Sequence, residues 1–168
     1  VIQNRRNIDK IINSFKQLKN EFNDFSFVLV GRNYTQPSID IEGMMRGMIE
    51  EKRALYIPWI EDEDLVALYQ AASYYICTST VDGEALMLKE AMQSGTPVIT
   101  SPLLKEAIGG NGLIIDDPES VLNTSKVLRI AMSKELVRKK LIKDGIKWTQ
   151  NITWERVADN ILTFLESR

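Results

Sequence analysis

The sequence predicts an α/β protein, a Rossmann-like doubly wound parallel sheet with helices on both faces. Two observations carry that prediction. Short apolar runs alternate with helical patterns along most of the 168 residues, which is the order of elements that layers helices on a parallel sheet with right-handed crossovers. The run FSFVLVG, Phe25 to Gly31, is nearly continuous in apolar residues and closed by glycine, as a strand buried on both faces is.

The elements follow in order. Val1 to Gln3 reads as the tail of a strand. From about Ile8 to Glu21, apolar residues at Ile8, Ile11, Ile12, Phe15 and Leu18 fall on one face of a helix. After the strand at Phe25 to Gly31 come a helix from Ile39 to Lys52, a strand at Leu55 to Ile57 and a helix from Glu61 to Ala72. The acidic run Glu61 to Asp64 suits the positive end of that helix. A strand at Ser73 to Ser79 leads to a helix from about Glu84 to Ser94, with Gly95 as its left-handed cap and Thr96 to Thr100 as the next strand. Pro102 opens a short helical turn to Ile108, Asn111 and Gly112 turn the chain, and Leu113 to Ile115 is the last strand. Helices fill the remainder. Within them the lysine-rich stretch Lys134 to Trp148 reads as a solvated helix, because Glu135 and Asp144 interrupt its charge.

Composition narrows the function. With 21 basic residues against 23 acidic ones the net charge is -2, so no broad positive field is present to hold a nucleic acid backbone. There is no histidine, which removes histidine-based triads, the imidazole acid/base and histidine metal sites. The single cysteine, Cys77, reads as core, and no apolar run approaches the length of a membrane span. A cytoplasmic setting is the expectation, with peripheral membrane contact as a further option.

The segment STVDGEALMLKEAMQSGTPVITS, Ser79 to Ser101, concentrates the chemistry. Gly83 frees the backbone at a helix start, so the amides of Glu84, Ala85 and Leu86 can face an anion with help from the helix dipole. A diphosphate suits that position. Glu90, about a turn and a half further on, leans back toward the helix start and can accept hydrogen bonds from two ribose hydroxyls. Asp82 precedes the first turn, at the reaction end.

These residues resemble the donor-binding, C-terminal half of GT-B glycosyltransferases, especially the retaining enzymes of family 4. The hallmark there is a pair of acidic residues separated by seven others, followed by EAM, a small residue and GTPV. Asp82 and Glu90 hold the acidic positions, and Glu90 to Met92 and Gly95 to Val98 match the rest. RRNIDKIINSF, Arg5 to Phe15, resembles the segment where the family places a diphosphate-binding lysine, and Arg6 takes that position beside Arg5. LYIPWIEDEDLVALYQAASYYICTS resembles the stretch near the nucleobase, which places Trp59 there or in a core or interdomain contact. Asp82, Glu84 and Met87 depart from the usual glutamate, aromatic residue and proline.

The resemblance implies a nucleotide-sugar donor domain of a retaining glycosyltransferase, serving glycan, polysaccharide or glycolipid synthesis. It implies Asp82 and Arg6 as catalytic residues, and Glu90, Gly83, Glu84, Ala85, Leu86, Arg5 and Trp59 as donor-binding residues. No metal or other cofactor is required, since amides and arginines can stabilise the leaving diphosphate. The hydroxyl acceptor is expected on a separate N-terminal domain. Residues 1–168 are thus expected to be one domain of a longer chain, inactive alone, with the first strand largely missing. In a 3-2-1-4-5-6 sheet that strand is central, and its loss leaves two groups of strands with unpaired inner edges. The alternatives are a sugar-nucleotide epimerase on the same plan and a non-catalytic domain that binds a nucleotide or a protein. The closing stretch Ile152 to Glu166 resembles the family helix that packs toward the N-terminal domain, with Trp154, Val157, Ile161, Phe164 and Leu165 on its apolar face, a face that equally suits a core helix.

Overall fold

The computed structural model describes residues 1–81 and 85–167. Its helices are α1 (Ile8–Leu18), α2 (Ile41–Glu50), α3 (Asp62–Ala71), α4 (Leu86–Gln93), α5 (Val121–Ser133), α6 (Glu135–Thr149) and α7 (Trp154–Glu166). Its strands are β1 (Phe27–Val30), β2 (Ala54–Ile57), β3 (Tyr75–Cys77), β4 (Val98–Thr100) and β5 (Gly112–Ile114). Asn4–Arg6, Pro102–Leu104 and Glu106–Ile108 are 3₁₀ turns. The doubly wound reading holds, with α1, α2, α3 and β3 shorter than their apolar patterns, β2 one residue longer and β5 shifted by one.

All strand pairs are parallel. β1 lies beside β2 with Phe27 opposite Ala54, β3 beside β4 with Tyr75 opposite Val98, and β4 beside β5 with Val98 opposite Gly112. They form two sheets, β1-β2 and β3-β4-β5, and not one.

Three apolar clusters match this division. Ile12, Phe15 and Leu29 join α1 and α2 to the two-stranded sheet. Cys77, Leu88, Met92 and Val98 join α3 and α4 to one face of the three-stranded sheet, while Leu18, Ile99, Ile115 and Leu128 join α1 and α5 to its other face. α1 forms where the sequence predicts because Ile11, Ile12, Phe15 and Leu18 are all buried on one stripe. At about 1.5–3 kcal/mol of transfer free energy each, they hold the helix far more firmly than propensity does. α4 ends at Gly95, whose φ of 85° is the left-handed cap expected. On its far side Gly145 of α6 lets the helices approach, since a Cβ there would stand 3.4 Å from Cε of Met92.

Two helices differ in kind. α6 is solvated as its charges predict, with Arg138 paired to Glu135 and Lys140 to Asp144. α7 has no buried residue, and Trp154 is 79% exposed. Its apolar stripe therefore does not make it a core helix of this domain, because no described element lies against that face closely enough to bury it.

Candidate functional site

The carboxyl ends of the strands gather the candidate residues. The chain enters there at Ile2, which is buried and bridges in parallel to Asn33 just past β1. The 3₁₀ turn that follows crosses to the end of β3: Thr80 donates its amide to the Arg5 carbonyl at 2.8 Å, and the Thr78 hydroxyl donates to the Arg6 carbonyl at 2.8 Å. Asn7 then caps α1 in the left-handed conformation, with φ of 50°. It is buried and donates from Nδ2 to the Thr78 carbonyl. A short polar side chain tolerates that backbone better than most. Asn7 was not singled out in the sequence, although an asparagine directly before a helical pattern is a cap signal.

This crossing sets the two arginines differently. Arg5 turns to the loop after β3, donating from Nε to Gln3 and from Nη1 to the Ser79 hydroxyl at 3.3 Å and to the Val81 carbonyl. It thereby holds the loop that leads to α4. Arg6 turns inward, with Nη1 3.8 Å from the Met87 sulfur in the first turn of α4 and 4.0 Å from the Cys77 sulfur at the end of β3. The arginine and the helix start are thus brought together, as the sequence requires.

α4 begins at Leu86, two residues later than its apolar pattern suggests. Ala85 is the N-cap, buried and left-handed with φ of 51°, and its carbonyl accepts from the amides of Leu88 and Lys89. Among the described residues no side chain caps the helix, and the amides at Leu86 and Met87, which have no carbonyl a turn earlier in the helix, lie at its electropositive end. The amides that can face an anion are therefore shifted toward Met87. Asp82, Gly83 and Glu84 lie outside the described residues.

Glu90 is exposed one turn along α4, near enough for its charge to act on the Tyr69 phenol. Tyr69 is buried edge-on against Tyr75, with ring centroids 5.4 Å apart. Burial, and then the Glu90 charge, raise the Tyr69 phenol well above its ordinary value. Burial likewise raises Tyr75, whose hydroxyl reaches the Met87 sulfur at 3.6 Å. Nothing in the spacing of the sequence marks Tyr69 as a neighbour of Glu90.

Trp59 stands apart from this group, at the carboxyl end of β2. It is 63% exposed, which excludes the core role, and its Nε1 donates to Glu61. The Arg32 guanidinium lies 5.0 Å from its ring centroid and steadies a flat aromatic face at the mouth of the fold. Cys77 is buried as expected. Among the described residues no acidic, cysteine or histidine cluster could hold a metal ion, and no helix is long and apolar enough to cross a membrane.

An open parallel sheet layered by helices, with its polar residues collected at the strands' carboxyl ends, defines a Rossmann-like α/β domain. The chain belongs to the glycosyl transferases group 1 family, whose model matches residues 1–130. It is 29% identical over 127 residues to the Bacillus subtilis spore coat protein SA, covering 71% of this chain and 33% of that protein. It is 27% identical over 154 residues to the Escherichia coli O-antigen chain mannosyltransferase B, covering 90% of this chain and 40% of that one. The chain thus spans between a third and two fifths of the length of these relatives. The pneumococcal O-GlcNAc transferase GtfA, solved in complex with UDP and GlcNAc, shares the fold with a TM-score of 0.77 at 16% identity, over 98% of this chain and 33% of that one.

Proposed function

We propose that this domain binds a nucleoside-diphosphate sugar and that, in a longer chain, it serves the transfer of that sugar to a hydroxyl acceptor with retention of anomeric configuration. The observation that carries the reading is the convergence of Arg6 and the first turn of α4 at one end of the strands, with exposed Glu90 one turn further along the same helix. Family membership and the mannosyltransferase relative support it, as does a structural neighbour solved with UDP.

In this reading the diphosphate lies against the amides of Leu86 and Met87, and Arg6 supplies the compensating cation. Glu90 accepts from the ribose hydroxyls, and Trp59 with Arg32 borders the base. Arg5 holds Ser79 and Val81, which precede Asp82 in the chain, the residue assigned to the sugar or acceptor side. As the anomeric C–O bond breaks, negative charge gathers on the departing diphosphate. Fixed amides and a guanidinium stabilise that charge more than they stabilise the bound donor, which lowers the barrier. The acceptor oxygen bonds to the anomeric carbon and its proton leaves. Amides and arginine take the role a metal would otherwise have, and the reaction is placed in the cytoplasm.

Calorimetry with UDP- and GDP-sugars tests the reading. Saturable binding to one nucleotide class is expected, abolished or strongly weakened in Glu90→Ala. Equal affinity in the variant, or no saturable heat with either class, refutes it.

A further inference from the structure

The backbone pairing of β3 with β4 ends at Cys77 and Thr100, and side-chain hydroxyls continue the join. The Thr100 hydroxyl donates to the Cys77 carbonyl at 2.7 Å, and one residue further the Ser101 hydroxyl donates to the Ser79 carbonyl at 2.6 Å. Thr78, Ser79, Thr100 and Ser101 are all buried. A buried hydroxyl costs free energy unless it is bonded, and alanine or valine would fill such places without that cost. Packing alone therefore does not account for hydroxyls at all four positions.

Ser101 and Ser79 are held differently. Ser101 directly follows β4: the Thr100 carbonyl before it accepts from the Ile115 amide next to β5, and its own carbonyl accepts from Leu104 in the 3₁₀ turn. Ser79 stands two residues beyond the end of β3, and its side chain bonds forward along the chain. Its hydroxyl donates to the Val81 carbonyl at 2.7 Å and accepts from Nη1 of Arg5 at 3.3 Å. Arg5 donates to the Val81 carbonyl as well, and the Thr80 amide donates to the Arg5 carbonyl. Hydrogen bonds thus lead from a fixed strand end to the residue directly before Asp82.

We propose that Ser101 is a positioning residue for the sugar side of the donor site. Its hydroxyl fixes Ser79, and Ser79 with Arg5 fixes Val81, so the chain enters Asp82 along one course. Ser101 is buried, so it acts through Ser79 and not on the ligand. The inference rests on the donor reading above and deepens it by dividing the site in two. The diphosphate is held by the start of α4 and Arg6, whereas contact with the sugar depends on β4 through the Ser101 hydroxyl. Groups that contact a ligand keep their geometry only when the residues behind them are themselves locked, and a strand end supplies that where a loop does not.

Calorimetry and hydrogen exchange on the 168-residue chain, with Ser101→Ala, Ser79→Ala and the double variant, test this. The ligands are UDP-glucose and GDP-mannose, each compared with its free diphosphate, UDP or GDP. Ser101→Ala is expected to weaken the bound nucleotide sugar about tenfold, as the loss of one buried hydrogen bond does, and the free diphosphate by less than about twofold. Without ligand, exchange at the Thr80 amide should quicken about tenfold or more. The double variant should bind no more weakly than the weaker single variant, because both substitutions break the same relay. Equal weakening of sugar and free diphosphate overturns the inference, as do additive losses in the double variant and unchanged exchange at Thr80. If Ser101→Ala does not fold, Ser79→Ala decides by the same two readouts. A wild-type chain that binds none of the four ligands refutes the donor reading, and Thr80 exchange, which needs no ligand, then still upholds or overturns the hold of Ser101 on this loop.

Discussion

The exposed carboxylate of Glu90 permits a test of the donor site. Glu90 lies on the open side of α4, so its lone pairs can accept from a bound ligand. If two ribose hydroxyls donate to those lone pairs, Glu90→Ala removes two hydrogen bonds to a charged group. Each contributes about 1.5–3 kcal/mol, and the low end applies at an exposed site. The expected loss is about 3 kcal/mol, or on the order of 100-fold in Kd. Calorimetry should be run with a nucleoside-diphosphate sugar and with its 2′,3′-dideoxy analogue. The wild-type protein should discriminate between the two, and Glu90→Ala should not. If Glu90→Ala weakens the dideoxy analogue as much as the parent donor, Glu90 acts through folding or general charge and the ribose role is wrong.

Four further outcomes follow from the packing. Gly112→Ala places a Cβ 2.6 Å from Ile108 Cδ1 and 2.9 Å from the Val98 carbonyl, so overpacking of about 1–3 kcal/mol and a Tm lower by several degrees is expected in thermal melts. Asn7→Gly keeps the left-handed backbone and loses only the bond to Thr78, whereas Asn7→Ala loses both; melting should rank them wild type, glycine, alanine. Tyr69, Tyr74 and Tyr75 all have phenol pKa values raised by burial, so each keeps its proton in the folded state above the ordinary value of about 10, where the unfolded chain releases it. Their stabilisation is complete below that pH and is lost as pH rises through the raised values, so a pH titration should show the phenolate absorbance of these three appearing together with loss of the far-UV signal, and not before it. Deleting residues 150–168 removes no buried side chain among the described residues of α7, so Tm should change little while binding of a hydrophobic dye falls.

How much of this was legible in the sequence differs between fold and site, for a physical reason. Burial on both faces writes a strand as a continuous apolar run, and burial on one stripe writes a helix as a 3.6-residue period, so β1 and α1 were readable from their own residues. Element ends were less legible. α4 starts at Leu86 because Ala85 is held in the left-handed region, backbone geometry that side-chain pattern does not record. The site mixes both cases. Arg6 meeting the first turn of α4 was foreseeable from its place ahead of α1 and the topology that brings the two together. The nearness of Tyr69 to Glu90 was not, since 21 residues separate them on different helices and nothing periodic links the two. Trp59 was open between the nucleobase and a core or interdomain contact; tryptophan is buried on average, and only the structure, with the Arg32 guanidinium over an exposed ring, removes the core alternative. Sequence pattern therefore reports which residues leave water. Pairings between polar groups on different elements depend on distances that the pattern does not encode.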